Sequence, residues 1–283
     1  MSPRKESRYD QPPDERFARR ERFVRRARES TQDALKSRDM MLGGSAKSIV
    51  TIDKVINQLT EKLEEWYAVY FPEFRPLEDR KKFVEAVLVI DRKNMNKAGL
   101  VALIGEKNGM DAVEKAGKSL GANLDEKDMR QITTLAESIL TLYGLKEEYE
   151  VYQNALAKEL CPNMSEVAGP EIAAKLVAHV GSLRKLGMMA SSTIQVLGAE
   201  KALFKHLKNR RIAPPKHGII FQHARISSSP KAVRGKIARA LANKIALAAR
   251  ADAFTKHFIA AGLKADFDKR YKEIMEGYER GKE

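Results

Sequence analysis

The 36 residues from Asp125 to Leu160 run without a proline, and their apolar side chains recur at seven-residue intervals. Ile132 and Ile139 form one row; Leu135, Leu142, Tyr149 and Leu156 form a second. Such a repeat keeps one apolar seam of a continuous helix facing a partner helix. At 1.5 Å per residue the helix would span about 54 Å, long for an ordinary core helix. The stretch therefore predicts an antiparallel coiled coil, with the partner helix drawn from residues 76–97, from another copy of the chain, or from both. Asp125 or Asp128 supplies the N-cap, and Cys161-Pro162-Asn163 closes the helix.

The rest of the chain also reads as helical. Ile49, Ile52, Val55, Ile56, Leu59 and Leu63 recur at three- and four-residue steps, predicting a helix over 47–70 that Phe71-Pro72 ends. Pro76 starts the next stretch, where Phe83, Val87, Leu88 and Ile90 predict a helix to about Lys93. Residues 95–121, with five glycines, read as short helices and turns. Beyond Cys161, helices are expected at 170–181, 192–208, 231–249 and 252–279. The connecting loop 211–230 holds three prolines and a short β-like run, Gly218-Ile219-Ile220-Phe221. Residues 1–40 are Arg-rich and poor in apolar side chains, and they read as a disordered or weakly helical arm. Aromatic residues make up only 7% of the chain, which favours helices over a β-sandwich. The expected architecture is all-α: a basic arm over 1–40, a coiled-coil domain over 41–160 and a compact helical domain over 161–283.

Charge is the second constraint. The formal net charge is +14, and residues 201–250 carry thirteen Lys and Arg with no acid. A merely solvated surface mixes both signs, so this window suggests a face built for a polyanion. It lacks the broad apolar face of a membrane-surface helix. Lys201, Lys205 and Lys208 fall on one helical face at i, i+4, i+7, a row that can follow a phosphate backbone. Lys216, His217 and Gln222 lie in a segment stiffened by Pro214-Pro215 and offer stacking and edge contacts to unpaired RNA bases. Arg234, Lys236 and Arg239 cluster at the start of the following helix, whose Ile237, Leu241, Ile245 and Leu247 are expected to face a core. Arg210 and Arg225 complete the candidate RNA contacts.

Other chemistry finds no support. Cys161 is the only cysteine, so no disulfide forms within the chain and no CxxC zinc pair exists. His217 and His223 are close in sequence, but no carboxylate shares their window. No GxxxxGK[ST] phosphate loop occurs, and no GxGxxG follows a strand. Ser227-Ser228-Ser229 has no triad partners. Neither a metal nor a cofactor is expected, and the chain does not read as an enzyme. No apolar run reaches the roughly 18 residues of a membrane span, and the N-terminus lacks a secretory h-region.

Several separated motifs, in order, resemble the archaeal Nop family of box C/D ribonucleoprotein scaffolds, kin to the eukaryotic nucleolar Nop proteins. They are Gly198–Lys201 (GAEK) with Ala202-Leu203-Phe204-Lys205, then KHGIIFQ (216–222), RGKIARALANKIALAARADAF (234–254) and EEWYAVYFPEF (64–74). The likeness runs from about Arg38 to about Tyr278. It implies an all-helical fold with a dimerising antiparallel coiled coil and a C-terminal Nop RNA-binding domain. It implies a kink-turn RNA as ligand, recognised together with a small ribosomal-protein-like kink-turn binder. Gly198, Ala199, Glu200 and Lys201 would contact that protein; Ala202, Leu203, Phe204 and Lys205 would face the guide–target region. Gln222, Arg234, Lys236 and Arg239 would meet the kinked backbone and its bulged bases. The family implies an archaeal, cytoplasmic guide RNA particle for 2'-O-methylation. Two departures stand out. Lys205 replaces the family's usual Arg, keeping charge but not the bidentate fork. The globular domain with which the family docks the fibrillarin methyltransferase has no counterpart in residues 1–40. Fibrillarin recruitment is therefore left open, beside the alternative of a kink-turn scaffold in a particle without fibrillarin.

Overall fold

The structure, a computed structural model, describes residues 13–281 apart from residues 37, 75 and 76. Residues 1–12 of the expected arm and the predicted helix start at Pro76 lie outside the described residues. In chain order the helices are α1 (Pro13–Lys36), α2 (Asp39–Tyr70), α3 (Arg80–Val89), α4 (Lys97–Ile104), α5 (Glu106–Ala116), α6 (Glu126–Leu160), α7 (Pro162–Ala168), α8 (Pro170–Val180), α9 (Leu183–Gly187), α10 (Ser191–Val196), α11 (Glu200–Lys208), α12 (Ala224–Ser227), α13 (Arg234–Arg250) and α14 (Ala260–Arg280). A 3-10 turn covers Ile219–Gln222 and a π turn covers Ala251–Thr255. No strand occurs among the described residues, and no helix among them is long and apolar enough to cross a membrane.

Two compact units form. One is Ser45–Leu156; the other takes the chain up to Gly44 and from Ala157 onward. In the first unit α2 and α6 run antiparallel. The Ala122 N–H donates to the Val69 carbonyl at one end, and Lys146 Nζ lies 2.7 Å from Asp53 Oδ1 nearer the other. The Asp125 carboxylate accepts from the Asp128 N–H and so caps α6. Ile132, Ala136 and Ile139 of α6 are buried with Ile56, Leu63 and Tyr67 of α2, Phe83 and Val87 of α3, and Leu100 of α4. The intrachain partner of α6 thus includes α2 as well as α3, whose Lys81 pairs with Glu147 at 2.8 Å. Tyr67, Tyr70, Phe71, Phe74 and Phe83 form an aromatic cluster where α2 ends.

In the second unit α13 is central and packs on α7, α9, α10, α12 and α14. Its buried face alternates Ile237, Leu241 and Ile245 with alanines, which let neighbouring backbones approach. Leu247, expected in this core, is exposed instead, because α13 turns it away from the Ile237–Leu241–Ile245 face. The buried Asp252 carboxylate accepts from the Asn163 N–H, Asn163 Nδ2 and the Met164 N–H, and Asn163 Oδ1 accepts from the Ile259 N–H. This network ties the first turn of α7 to the π turn and to the approach of α14. Burial pushes the Asp252 carboxyl above its usual range, against the lowering effect of those hydrogen bonds. The Leu183 N–H donates to Asp39 Oδ2, and Arg38 pairs with Glu159, so the first turn of α2 belongs here too.

Three expectations change. The single helix over 192–208 is two, broken at Gly198. The β-like run 218–221 is a 3-10 turn. The last helix begins at Ala260, after the π turn rather than at 252.

Candidate nucleic-acid interface

The break between α10 and α11 builds the centre of the site. Gly198 has φ +85, a left-handed conformation that other residues adopt only with strain. Glu200 Oε1 accepts the Gly198 N–H at 2.7 Å and lies 2.7 Å from His179 Nε2. Burial pushes the Glu200 carboxyl up, but the hydrogen bonds from Gly198, its own N–H and His179 outweigh that and hold it low. Gly198–Lys201 is therefore a fixed turn organised by a carboxylate, with Lys201 exposed at its end.

The KHGIIFQ segment docks directly on this turn. The Gly218 N–H donates to the Gln195 carbonyl and the Ile219 N–H to the Leu197 carbonyl, at 3.0 and 2.7 Å. Gln195 Nε2 donates to the Lys216 carbonyl. A Cβ on Gly218 would lie 1.8 Å from the Leu197 carbonyl oxygen, so only glycine permits the approach. Two motifs separated in sequence become one surface.

Cations border this surface. No residue of α11 is buried, so Ala202 and Leu203 form no core. Lys201, Lys205 and Lys208 are exposed, as is Arg210, and none has an ion-pair partner among the described residues. Phe204 and Leu207 are exposed beside them. On the other side of loop 209–218, a cleft of about 990 Å³ opens between that loop, α13 and α14. Lys216, Lys236, Arg239, Lys244, Lys269 and Arg270 line it against two acids, Asp266 and Glu273. Lys244 pairs with Asp266 and Arg270 with Glu273, so the two carboxylates are already matched. Lys216, Lys236, Arg239 and Lys269 remain as cations facing an open, basic cleft.

His217 stacks on Phe221, with ring centroids 4.5 Å apart and planes 15° from parallel. Burial, then the nearby Arg234 charge, holds its imidazole below the ordinary value, so a neutral ring is presented. Arg234 has an internal role. It donates to the Ser229 and Ser227 carbonyls and lies over the Phe221 ring. Arg225 pairs with Asp268 and lies over Phe267 and Tyr271. Gln222 Oε1 accepts from Lys175 Nζ at 2.8 Å. These three candidates support the site's shape, whereas the lysines and Arg239 present free charge. Asn243, Lys269 and His179 went unmarked in the sequence. Asn243 was findable, being four residues beyond Arg239 on one helical face. Lys269 lies in a stretch where acids and bases balance, which hid it.

A family model described as "Nop: snoRNA binding domain, fibrillarin" matches residues 48–273. The chain belongs to the Nop family. This Nop chain is 42% identical over 257 residues to a NOP5 family protein of Methanocaldococcus jannaschii, covering 88% of the chain and 61% of that protein. It is 34% identical over 241 residues to nucleolar protein 56 of Saccharomyces cerevisiae, covering 82% of the chain and 47% of that protein. The Nop chain thus spans about half the length of these curated relatives. Among solved structures, the crystal structure of a fibrillarin/Nop5p complex matches with a TM-score of 0.53 at 23% identity, over 96% of this chain and 88% of that one. That likeness shows the all-α Nop fold, as expected from the sequence.

Proposed function

We propose that the chain is a non-catalytic scaffold of a box C/D guide RNA particle for 2'-O-methylation. It binds a kink-turn RNA together with that RNA's small kink-turn-binding protein. The observation that carries this reading is the docking of the KHGIIFQ segment on the Gly198–Lys201 turn, which joins a stacked His217–Phe221 pair to free cations on both sides. Phosphates would be held by Lys201, Lys205, Lys208, Arg210, Lys216, Lys236 and Arg239. An unpaired base would meet the neutral, partly exposed His217 ring, an arrangement suited to stacking rather than ion pairing. The GAEK turn offers an ordered backbone and the Glu200 carboxylate to the kink-turn protein. Val151 and Tyr152 of α6 and Val50 of α2 are exposed on the antiparallel pair, and we read them as the apolar seam of a homodimerising coiled coil.

The test is binding of the full chain to a fluorescent kink-turn RNA, with and without the kink-turn protein, across a salt series. Tight binding only to the preformed RNA–protein complex is expected. Changing Lys201, Lys205 and Lys208 together to Gln should flatten the slope of log K against log[salt] by about 2–3, at roughly 0.7–0.9 for each phosphate no longer neutralised. Equal affinity for any RNA, or an unchanged slope, would refute the assignment. Retention of fibrillarin on the assembled complex supports a methylation particle. Assembly without it supports the kink-turn scaffold that does not recruit it.

A further inference from the structure

Helix α1 precedes the family-model match, which begins at residue 48, and the interface formed by α11, α13 and loop 209–218 does not use it. Residues 16–28 hold seven arginines, no lysine and one acid, Glu21. Every residue from Arg16 to Glu29 is exposed. The side-chain bonds seen there stay inside the helix: Arg22 to the Ala18 carbonyl, Thr31 to the Ala27 carbonyl, and a 3.9 Å pair between Arg25 and Glu29.

A helix that needs only solubility alternates Glu and Lys at i, i+4. This one sets arginines against each other at three- and four-residue steps: Arg16 with Arg19 and Arg20, Arg19 with Arg22, and Arg22 with Arg25 and Arg26. Like charges at these spacings oppose the helix; from Arg16 to Glu29, Glu21 and Glu29 are the acids set against the seven arginines, and the one ion pair seen, Arg25 with Glu29, is long at 3.9 Å. The arrangement becomes favourable against a dense row of negative charges. The exclusive use of guanidinium narrows the class further, because its planar fork matches phosphate oxygens in pairs. A membrane surface fits poorly. Phe17 and Val24 lie on one side of the helix and Phe23 about 120° away, so no single apolar face forms.

We propose that α1 is a second RNA-binding element, a phosphate clamp in which Arg19, Arg22 and Arg26 share one face and grip the backbone of an RNA stem without reading its sequence. Such a clamp would hold duplex flanking the kink-turn, outside the surface formed by α11 and α13.

The experiment uses the full chain and a labelled RNA hairpin with an uninterrupted stem, followed by anisotropy across a salt series. R19Q/R22Q/R26Q should flatten the slope of log K against log[salt] by about 2–3, from roughly 0.9 per duplex phosphate, with no change in melting temperature. R19K/R22K/R26K should restore most of the slope, because it restores the charge. An unchanged slope in the Gln variant overturns the clamp and leaves the arginines to an acidic protein partner. A Lys variant as flat as the Gln variant overturns it as well. The K201Q/K205Q/K208Q chain, run in parallel on kink-turn RNA, reports on the Nop surface alone, so failure of either surface is recognised separately.

Discussion

A methyl group on Gly218 would sit 1.8 Å from the Leu197 carbonyl oxygen, and one on Gly198 would sit 2.7 Å from Ile219 Cγ1. The interface is set at this scale by two missing Cβ atoms. Gly218→Ala should push the KHGIIFQ segment off the turn, costing about 1–3 kcal/mol as an overpacked site does. It should also weaken binding to the RNA–protein complex while Lys201, Lys205 and Lys208 stay untouched. Chemical denaturation and a binding titration on the same protein check both effects. Single residues also show how far the site was legible. The row Lys201, Lys205, Lys208 followed from helical spacing, because an exposed helix keeps its periodicity regardless of its neighbours. Arg225 and Arg234 looked equivalent to those lysines, but Asp268, Phe267, Phe221 and two serine carbonyls engage them. Those partners sit up to 43 residues away along the chain, and no local pattern announces them.

Among elements, the long helix was the easiest to read. It is one continuous helix, α6, capped by Asp125; Ile132, Ile139 and Leu156 are buried, and Leu135, Leu142 and Tyr149 are half-buried. Ile132, Ala136 and Ile139 of its first half share one core with α2 and α3. The break at Gly198 was harder, since Ala, Glu, Lys and Leu around it all favour helix, and only the docked 216–222 segment requires the turn. Within α6, Gly144 is exposed and a Cβ there meets nothing within 4 Å. Gly144→Ala should therefore stabilise the Ser45–Leu156 unit by about 0.4–1 kcal/mol through reduced unfolded-chain entropy. A higher midpoint in urea with an unchanged m-value is the expected result. A lower midpoint would mean that the position serves a partner that approaches α6 closely.

For the molecule as a whole, stability should follow pH through two imidazoles. Burial first, and then Arg234 for His217 and Arg225 for His223, hold both rings below their ordinary value. The unfolded chain therefore binds protons that the folded chain refuses. The resulting stabilisation is complete above the unfolded value of about 6.5 and is lost as pH falls through the lower folded values. Thermal melting of the unit carrying α7–α14 should drop as pH falls below about 6.5. His217→Phe should remove part of that dependence. The discontinuous make-up of this unit has a consequence for its biosynthesis. Asp39, at the first turn of α2, finds the Leu183 amide 144 residues further along. All of Ser45–Leu156 must leave the ribosome in between. At roughly 5–20 residues per second, the start of α2 waits on the order of ten seconds for its partner. The inserted unit can close during that wait, while the unit that carries the candidate interface is completed only after the residues from Ala157 onward have been made.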